Sequence, residues 1–242
     1  AADVERLRTP PAAESVPQVL AAVRQVVAAS PVPVICFSGA PFTLASYLIE
    51  GRPTRDFKLT KTFMYRQPEA WDALLGKLAE VIVDYLRAQV EAGAQAIQLF
   101  DSWMGALAPD DYQRRVLPHS RHVFEATAGL GVPRIHFGTS TAGLLELMTE
   151  AGPDVVSLDW RVRLDEGWRR VGDRAVQGNL DPAVLLGPPE LVRERATDIL
   201  ARAGGRPGHI FNLGHGVLPE TPLASIQVLV ETVHAWGAVA GG

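Results

Sequence analysis

Residues 93–103 read Gly93-Ala94-Gln95-Ala96-Ile97-Gln98-Leu99-Phe100-Asp101-Ser102-Trp103: a glycine, a run of buried-type residues, then a polar end. Before it, Trp71, Leu74, Leu75, Leu78, Ile82, Tyr85 and Leu86 fall at three- and four-residue spacings, an amphipathic helix that Gly93 stops. Helix, stop, strand and polar end make one beat of a parallel βα rhythm, and the beat recurs. Residues 32–37 run into Ser38-Gly39-Ala40-Pro41, and residues 134–137 into Gly138-Thr139-Ser140. Residues 155–158 run into Asp159-Trp160-Arg161, residues 175–176 into Gln177-Gly178-Asn179, and residues 209–213 into Gly214-His215-Gly216. Punctuation always at the strand's C-terminal end predicts a parallel sheet built from βα units. In a barrel of such units those ends share one mouth, where the chemistry sits.

Composition fits one folded domain over residues 1–242, with no stretch that reads as a linker. The 47% apolar content supports a substantial core, and no window reaches the length of apolar sequence that a membrane span needs. No charged-then-apolar start resembles a signal peptide. A single cysteine, Cys36, excludes an intramolecular disulfide and fits a reducing cytoplasm. A net charge of −4, with both signs interspersed, argues against a nucleic-acid partner read through a basic face.

Further helices are readable at residues 16–28 and 43–49, and at Leu144, Leu145, Leu147 and Met148 before Gly152-Pro153. Asp181-Pro182 reads as a cap and first turn, continued by Leu191, Ala196, Ile199 and Leu200. Ile226, Leu229, Val230, Val233 and Trp236 line one side of a last helix, ended by Gly237 and Gly241-Gly242. Six strands are legible where a closed (β/α)8 barrel has eight. An open, doubly wound sheet would make 32–37 and 209–213 edges, and both are too apolar for that. The expectation is therefore a TIM-type barrel represented by its strands three to eight, with two βα units preceding residue 1.

Five blocks, in order, carry a family resemblance. They are Phe37-Ser38-Gly39-Ala40-Pro41-Phe42-Thr43-Leu44 with Tyr47 and Glu50-Gly51; residues 93–103 with Leu107 and Pro109; and Ala151-Gly152-Pro153-Asp154-Val155-Val156 running into Leu158-Asp159-Trp160-Arg161. The last two are Gln177-Gly178-Asn179-Leu180-Asp181-Pro182 and Asn212-Leu213-Gly214-His215-Gly216-Val217-Leu218-Pro219. Together they resemble the uroporphyrinogen decarboxylases. The resemblance implies a cytoplasmic, homodimeric (β/α)8 barrel that takes the four acetate carboxyls from uroporphyrinogen III, giving coproporphyrinogen III for haem synthesis. It implies no cofactor and no metal. It makes Tyr47, Ser102 and His215 substrate-binding groups, with Phe37 and Phe100 walling the macrocycle. The family's arginine-rich segment and its pyrrole-binding aspartate belong to the first two strands, so no catalytic residue is named within this chain. Neither Asp101 nor Asp159 is promoted to that role. A chain without those two strands is expected to be aggregation-prone and inactive.

Taken alone, His215 also reads as a loop histidine bonding backbone, Tyr47 as rim packing and Ser102 as a turn cap. Asn179 and Asp181 read as turn and N-cap residues, and Asp159 and Arg161 as partners of barrel neighbours. Three rivals remain at this level. A zinc- or corrinoid-dependent methyltransferase on the same barrel would need a thiol beside His136, and Cys36 is the only one; His119 and His122 lack further ligands. A phosphosugar enzyme could use Gly178 and the glycines 214 and 216 as a phosphate cradle. The third is an inactive, truncated barrel that only binds.

Overall fold

The computed structural model describes residues 2–52 and 54–240, with side chains through Trp236. Three helices, α1 (Ala2–Arg6), α2 (Ala12–Ser15) and α3 (Pro17–Ala29), precede the first strand, β1 (Ile35–Gly39). Then come α4 (Pro41–Glu50), α5 (Lys58–Arg66), α6 (Pro68–Glu91), β2 (Ala96–Asp101), α7 (Pro109–Arg115), α8 (Leu117–Ala126) and β3 (Arg134–Gly138). The chain continues through α9 (Leu145–Glu150), β4 (Val155–Ser157), α10 (Leu164–Val171), β5 (Ala175–Gln177), α11 (Pro189–Ala203), β6 (His209–Ile210) and α12 (Leu223–Ala240).

Local chemistry explains the boundaries. Proline opens α3, α4 and α6, where its missing N–H costs nothing. Gly51 closes α4 in the left-handed conformation that favours glycine. Along α6 the residues Trp71, Leu74, Leu75, Ala79, Ile82, Val83 and Leu86 are buried. Each of the larger side chains contributes about 1.5–3 kcal/mol on leaving water, so this stripe anchors the helix layer.

The six strands pair in parallel in chain order, β1-β2-β3-β4-β5-β6. Parallel crossovers are right-handed, so an unreversed order puts every connecting helix on one face. A doubly wound sheet needs a reversal, and none is present among the described residues. Register separates the faces. Cys36, Ile97, Leu99, His136 and Val156 share one face, which packs on α4, α6, α8 and α9. Ile35, Phe37, Gln98, Phe100, Ile135, Phe137, Ser157 and Gln177 share the other.

That second face curls on itself. The Gln177 amide on β5 donates to the Gln98 side-chain oxygen on β2 at 2.9 Å, and both residues are buried. Three steps across a flat sheet span about 14 Å, so the bond requires a concave surface, as in a barrel wall.

Several expectations change. β1 and β6 are the outer strands, each paired on one side among the described residues, although their sequences read as too apolar for edges. Val32, Ile35 and Phe37 are correspondingly exposed. β1 starts at Ile35 because Pro33 has no N–H for a ladder and the Val34 N–H goes to the Gln95 side chain at 2.8 Å. β6 ends at Ile210, and Leu213 rejoins the sheet as an isolated bridge to Leu180. Asp181 caps a short 3₁₀ turn, Pro182–Leu186, which Gly187-Pro188 separates from α11. The last helix runs past Gly237 to Ala240; residues 241–242 lie outside the described residues.

Candidate active site

The C-terminal ends of parallel strands form one rim, and the segments that follow β1, β2 and β6 carry Tyr47, Ser102 and His215. Tyr47 lies on α4, the helix that follows β1. Its half-exposed ring stands 4.1 Å from that of Trp103, just past β2. Ser102 directly follows β2, and its carbonyl accepts from the Thr139 hydroxyl at 2.6 Å. The Ser102 hydroxyl does not cap the following 3₁₀ turn. His215 follows β6; its Nδ1 accepts from the Gly216 N–H at 2.7 Å, so in the neutral ring Nε2 carries the proton.

A row of rings runs along the concave face and reaches His215. Phe37 and Phe100 meet edge to face at 5.1 Å, Phe100 and Phe137 lie 4.8 Å apart, and Phe137 and His215 lie 6.2 Å apart. Sequence reading found Phe37 and Phe100 and missed Phe137 and the Tyr47–Trp103 ring contact. The signal was present: each of the first three strands carries a phenylalanine one or two residues before its end.

Behind the rim, buried polar contacts bind one loop to the next. Asp159 is buried after β4 and accepts from the Ser140 N–H of the β3 loop, from the Arg161 N–H at 2.9 Å and from the Arg161 guanidinium at 2.8 Å. Asp159 and Arg161 thus pair with each other, and through the Ser140 N–H Asp159 also holds a barrel neighbour, the β3 loop. Asn179 does more than turn the chain: its amide donates to the Asp159 and Val162 carbonyls at 2.9 and 2.6 Å. The rim glycines have steric reasons to be glycine. A Cβ on Gly178 would meet the Leu158 carbonyl oxygen at 2.5 Å, and one on Gly214 would meet the Trp160 backbone nitrogen at 2.9 Å. Backbone approach explains both without a phosphate.

Two buried groups on the helix side titrate in opposite senses. Burial pushes Asp101 up from 3.8 to about 7, against the pull of its hydrogen bond from Thr43. Burial pushes His136 down from 6.5 to about 4. Asp101 therefore favours folding fully below pH 3.8, a contribution lost as pH rises through about 7. His136 favours folding fully above pH 6.5, a contribution lost as pH falls through about 4. Between about 4 and 6.5 the two slopes oppose. Asp101→Asn should unmask the histidine. In that interval the variant's unfolding free energy, minus the parent's, should climb by about 1 kcal/mol per pH unit. Urea titrations at four pH values measure this, and a flat difference would refute the assignment.

His136 does not sit beside the thiol. It packs on the Phe124 ring two strands from Cys36, and among the described residues no three His, Cys, Asp or Glu side chains gather as a metal site. A cavity of about 880 Å³ lies away from the rim between α11 and α12, lined by Arg193, Thr197, Glu231, Thr232 and Trp236.

A curled parallel sheet, helices on its convex side and an aromatic, hydroxyl- and imidazole-bearing rim at the strand ends define a protein of the βα-barrel class. Uroporphyrinogen decarboxylase (URO-D) is the family that matches, over residues 1–236. A uroporphyrinogen decarboxylase of Carboxydothermus hydrogenoformans is 54% identical over 235 residues, covering 96% of this chain and 67% of that protein. One from Streptomyces coelicolor is also 54% identical, covering 96% of this chain and 66% of its own. Among solved structures, a methyltransferase from Methanosarcina mazei superposes with a TM-score of 0.82 at 20% identity, over 97% of this chain and 69% of that one. That likeness concerns the fold alone. The chain belongs to the uroporphyrinogen decarboxylase family, and it spans about two thirds of the length of the relatives it matches.

Proposed function

We propose that the protein carrying this chain converts uroporphyrinogen III to coproporphyrinogen III by removing four acetate carboxyls as CO₂. Family membership supports this reading, and the observation at the site that carries it is the ring row. Phe37, Phe100 and Phe137 offer a continuous apolar wall to a flat macrocycle; His215 adjoins its Phe137 end, and Tyr47 and Ser102 follow the strands that carry Phe37 and Phe100. The chemistry proceeds from a protonated pyrrole. A proton added to a ring α-carbon makes the ring a cationic electron sink. The bond to the acetate carboxyl breaks, its electron pair enters the ring and CO₂ leaves. The exocyclic methylene takes a proton to become methyl, and the α-proton departs. The protein's part is to place the acetate and stabilise the cationic ring. Tyr47 and Ser102 hydroxyls and the His215 Nε2–H are donors suited to substrate carboxylates.

We further read the six strands as the third to eighth of an eight-stranded barrel in one domain. The curl of the sheet, the unreversed strand order and the apolar exposure of β1 support this. The aspartate and arginines that the family needs for the ring cation and the carboxylates would lie on the remaining two strands. A homodimer is consistent with the exposed Leu48, Leu59 and Tyr65. A cytoplasmic setting accords with the single cysteine, and among the described residues no helix is long and apolar enough to cross a membrane. The methyltransferase alternative finds no support in the close relatives. Anaerobic incubation of the full-length protein with uroporphyrinogen III, followed by chromatography, should show intermediates with progressively fewer carboxylates and then coproporphyrinogen. Unchanged substrate with folded protein would overturn the reading.

A further inference from the structure

We propose that Asp101 and Thr43 act as positioning residues, a buried latch that holds Tyr47 against the end of β2. The idea rests on the function proposed above. The Thr43 hydroxyl on α4 donates to Asp101 Oδ1 on β2 at 3.0 Å, and Asp101 and Thr43 are both buried. Thr43 lies one helical turn before Tyr47, on the same face of α4. Asp101 lies one residue before Ser102 and two before Trp103, whose ring stands 4.1 Å from that of Tyr47. Beyond the backbone bond from the Ala40 N–H to the Phe100 carbonyl at 2.8 Å, two side-chain contacts thus join the same two segments, one hidden and polar, one aromatic and half-exposed. Together they set the spacing between the Tyr47 hydroxyl and Ser102, which come from different elements. Of the two side-chain contacts, the inner bond is the directional one along the axis of α4, because the tilted rings can slide past one another.

Tyr47→Phe is the reference background for the test, and Thr43→Val, Thr43→Ser and Asp101→Asn are the probes. Valine keeps the shape of threonine without the hydroxyl. Serine keeps the donor, and asparagine keeps an acceptor oxygen. Thr43→Val should lower kcat for uroporphyrinogen about two- to tenfold, the range of one neutral hydrogen bond, with Thr43→Ser and Asp101→Asn within about twofold of the parent. In the Tyr47→Phe background, Thr43→Val should add little further loss, because both changes remove the same placement. Equal losses in the two backgrounds would overturn the proposal and make Thr43 a packing residue. An activity-independent readout is the ¹⁹F resonance of 5-fluorotryptophan at position 103, assigned with Trp103→Phe. It should move in Thr43→Val and stay in Thr43→Ser; no movement would also overturn the latch. If that resonance moves while Tyr47→Phe leaves turnover intact, the latch stands and the substrate role of Tyr47 fails.

Discussion

Gly178→Ala is expected to lower the unfolding free energy by about 2–6 kcal/mol, the largest single-residue loss anticipated here. Gly178 has φ of +127°, outside the range that side-chain-bearing residues tolerate, and its Cβ would stand 2.5 Å from the Leu158 carbonyl oxygen. Backbone strain of this kind costs about 1–3 kcal/mol, and overpacking about 1–3 more. The obstructing atom belongs to the backbone of the neighbouring loop, so no rotamer change relieves it. Domain stability is about 5–15 kcal/mol in all, so the variant approaches the threshold for folding. Denaturant titration measures the loss, with Gly216→Ala as the control, since a Cβ there meets nothing within 4 Å. A loss below about 1 kcal/mol would show that the β4 and β5 loops separate easily.

For the reaction, Tyr47→Phe should slow turnover between a few-fold and about a hundredfold without abolishing it. A lost bond to a neutral partner is worth about 0.5–1.5 kcal/mol and one to a carboxylate about 1.5–3, which converts to that range. Phenylalanine keeps the ring that contacts Trp103, so the change tests the hydroxyl alone. His215→Asn belongs in the same range if Nε2–H binds a carboxylate. Complete loss of turnover in either folded variant would instead assign that residue to the transferred proton.

The strand–helix order could be read because each strand closes on its own polar punctuation. Phe100-Asp101-Ser102 ends β2, and Phe137-Gly138-Thr139 ends β3. What escaped reading depends on partners distant in sequence. The Asp101–Thr43 bond spans 58 positions, and the Asn179 bonds to the β4 loop depend on how two loops fold over one another. Asp101 looked like a rim carboxylate because it ends a strand, yet register turns its side chain to the helix side, opposite Phe100. The outer strands differ from their sequence limits: Pro33 lacks a donor for the ladder, and beyond β6 the Leu213 N–H turns to the Asn212 side-chain oxygen at 2.8 Å. The length of α12 past Gly237 shows a glycine tolerated within a helix at a cost of about 1 kcal/mol.

The bond between Gln98 and Gln177 also bears on how the chain finds its fold. The two residues are 79 positions apart, and β3 and β4 lie between their strands. Neighbouring strands can zip together from contacts close in sequence, but this cross-sheet bond cannot form until all four strands are docked and bent. It belongs to the last stage of assembly, when most of the loop-closure entropy has already been spent. A Gln177→Leu chain would then reach its transition state at nearly the parental rate and leave the native basin sooner. The polar pair at the centre of the wall thus governs how long the curved state lasts rather than how quickly it is reached.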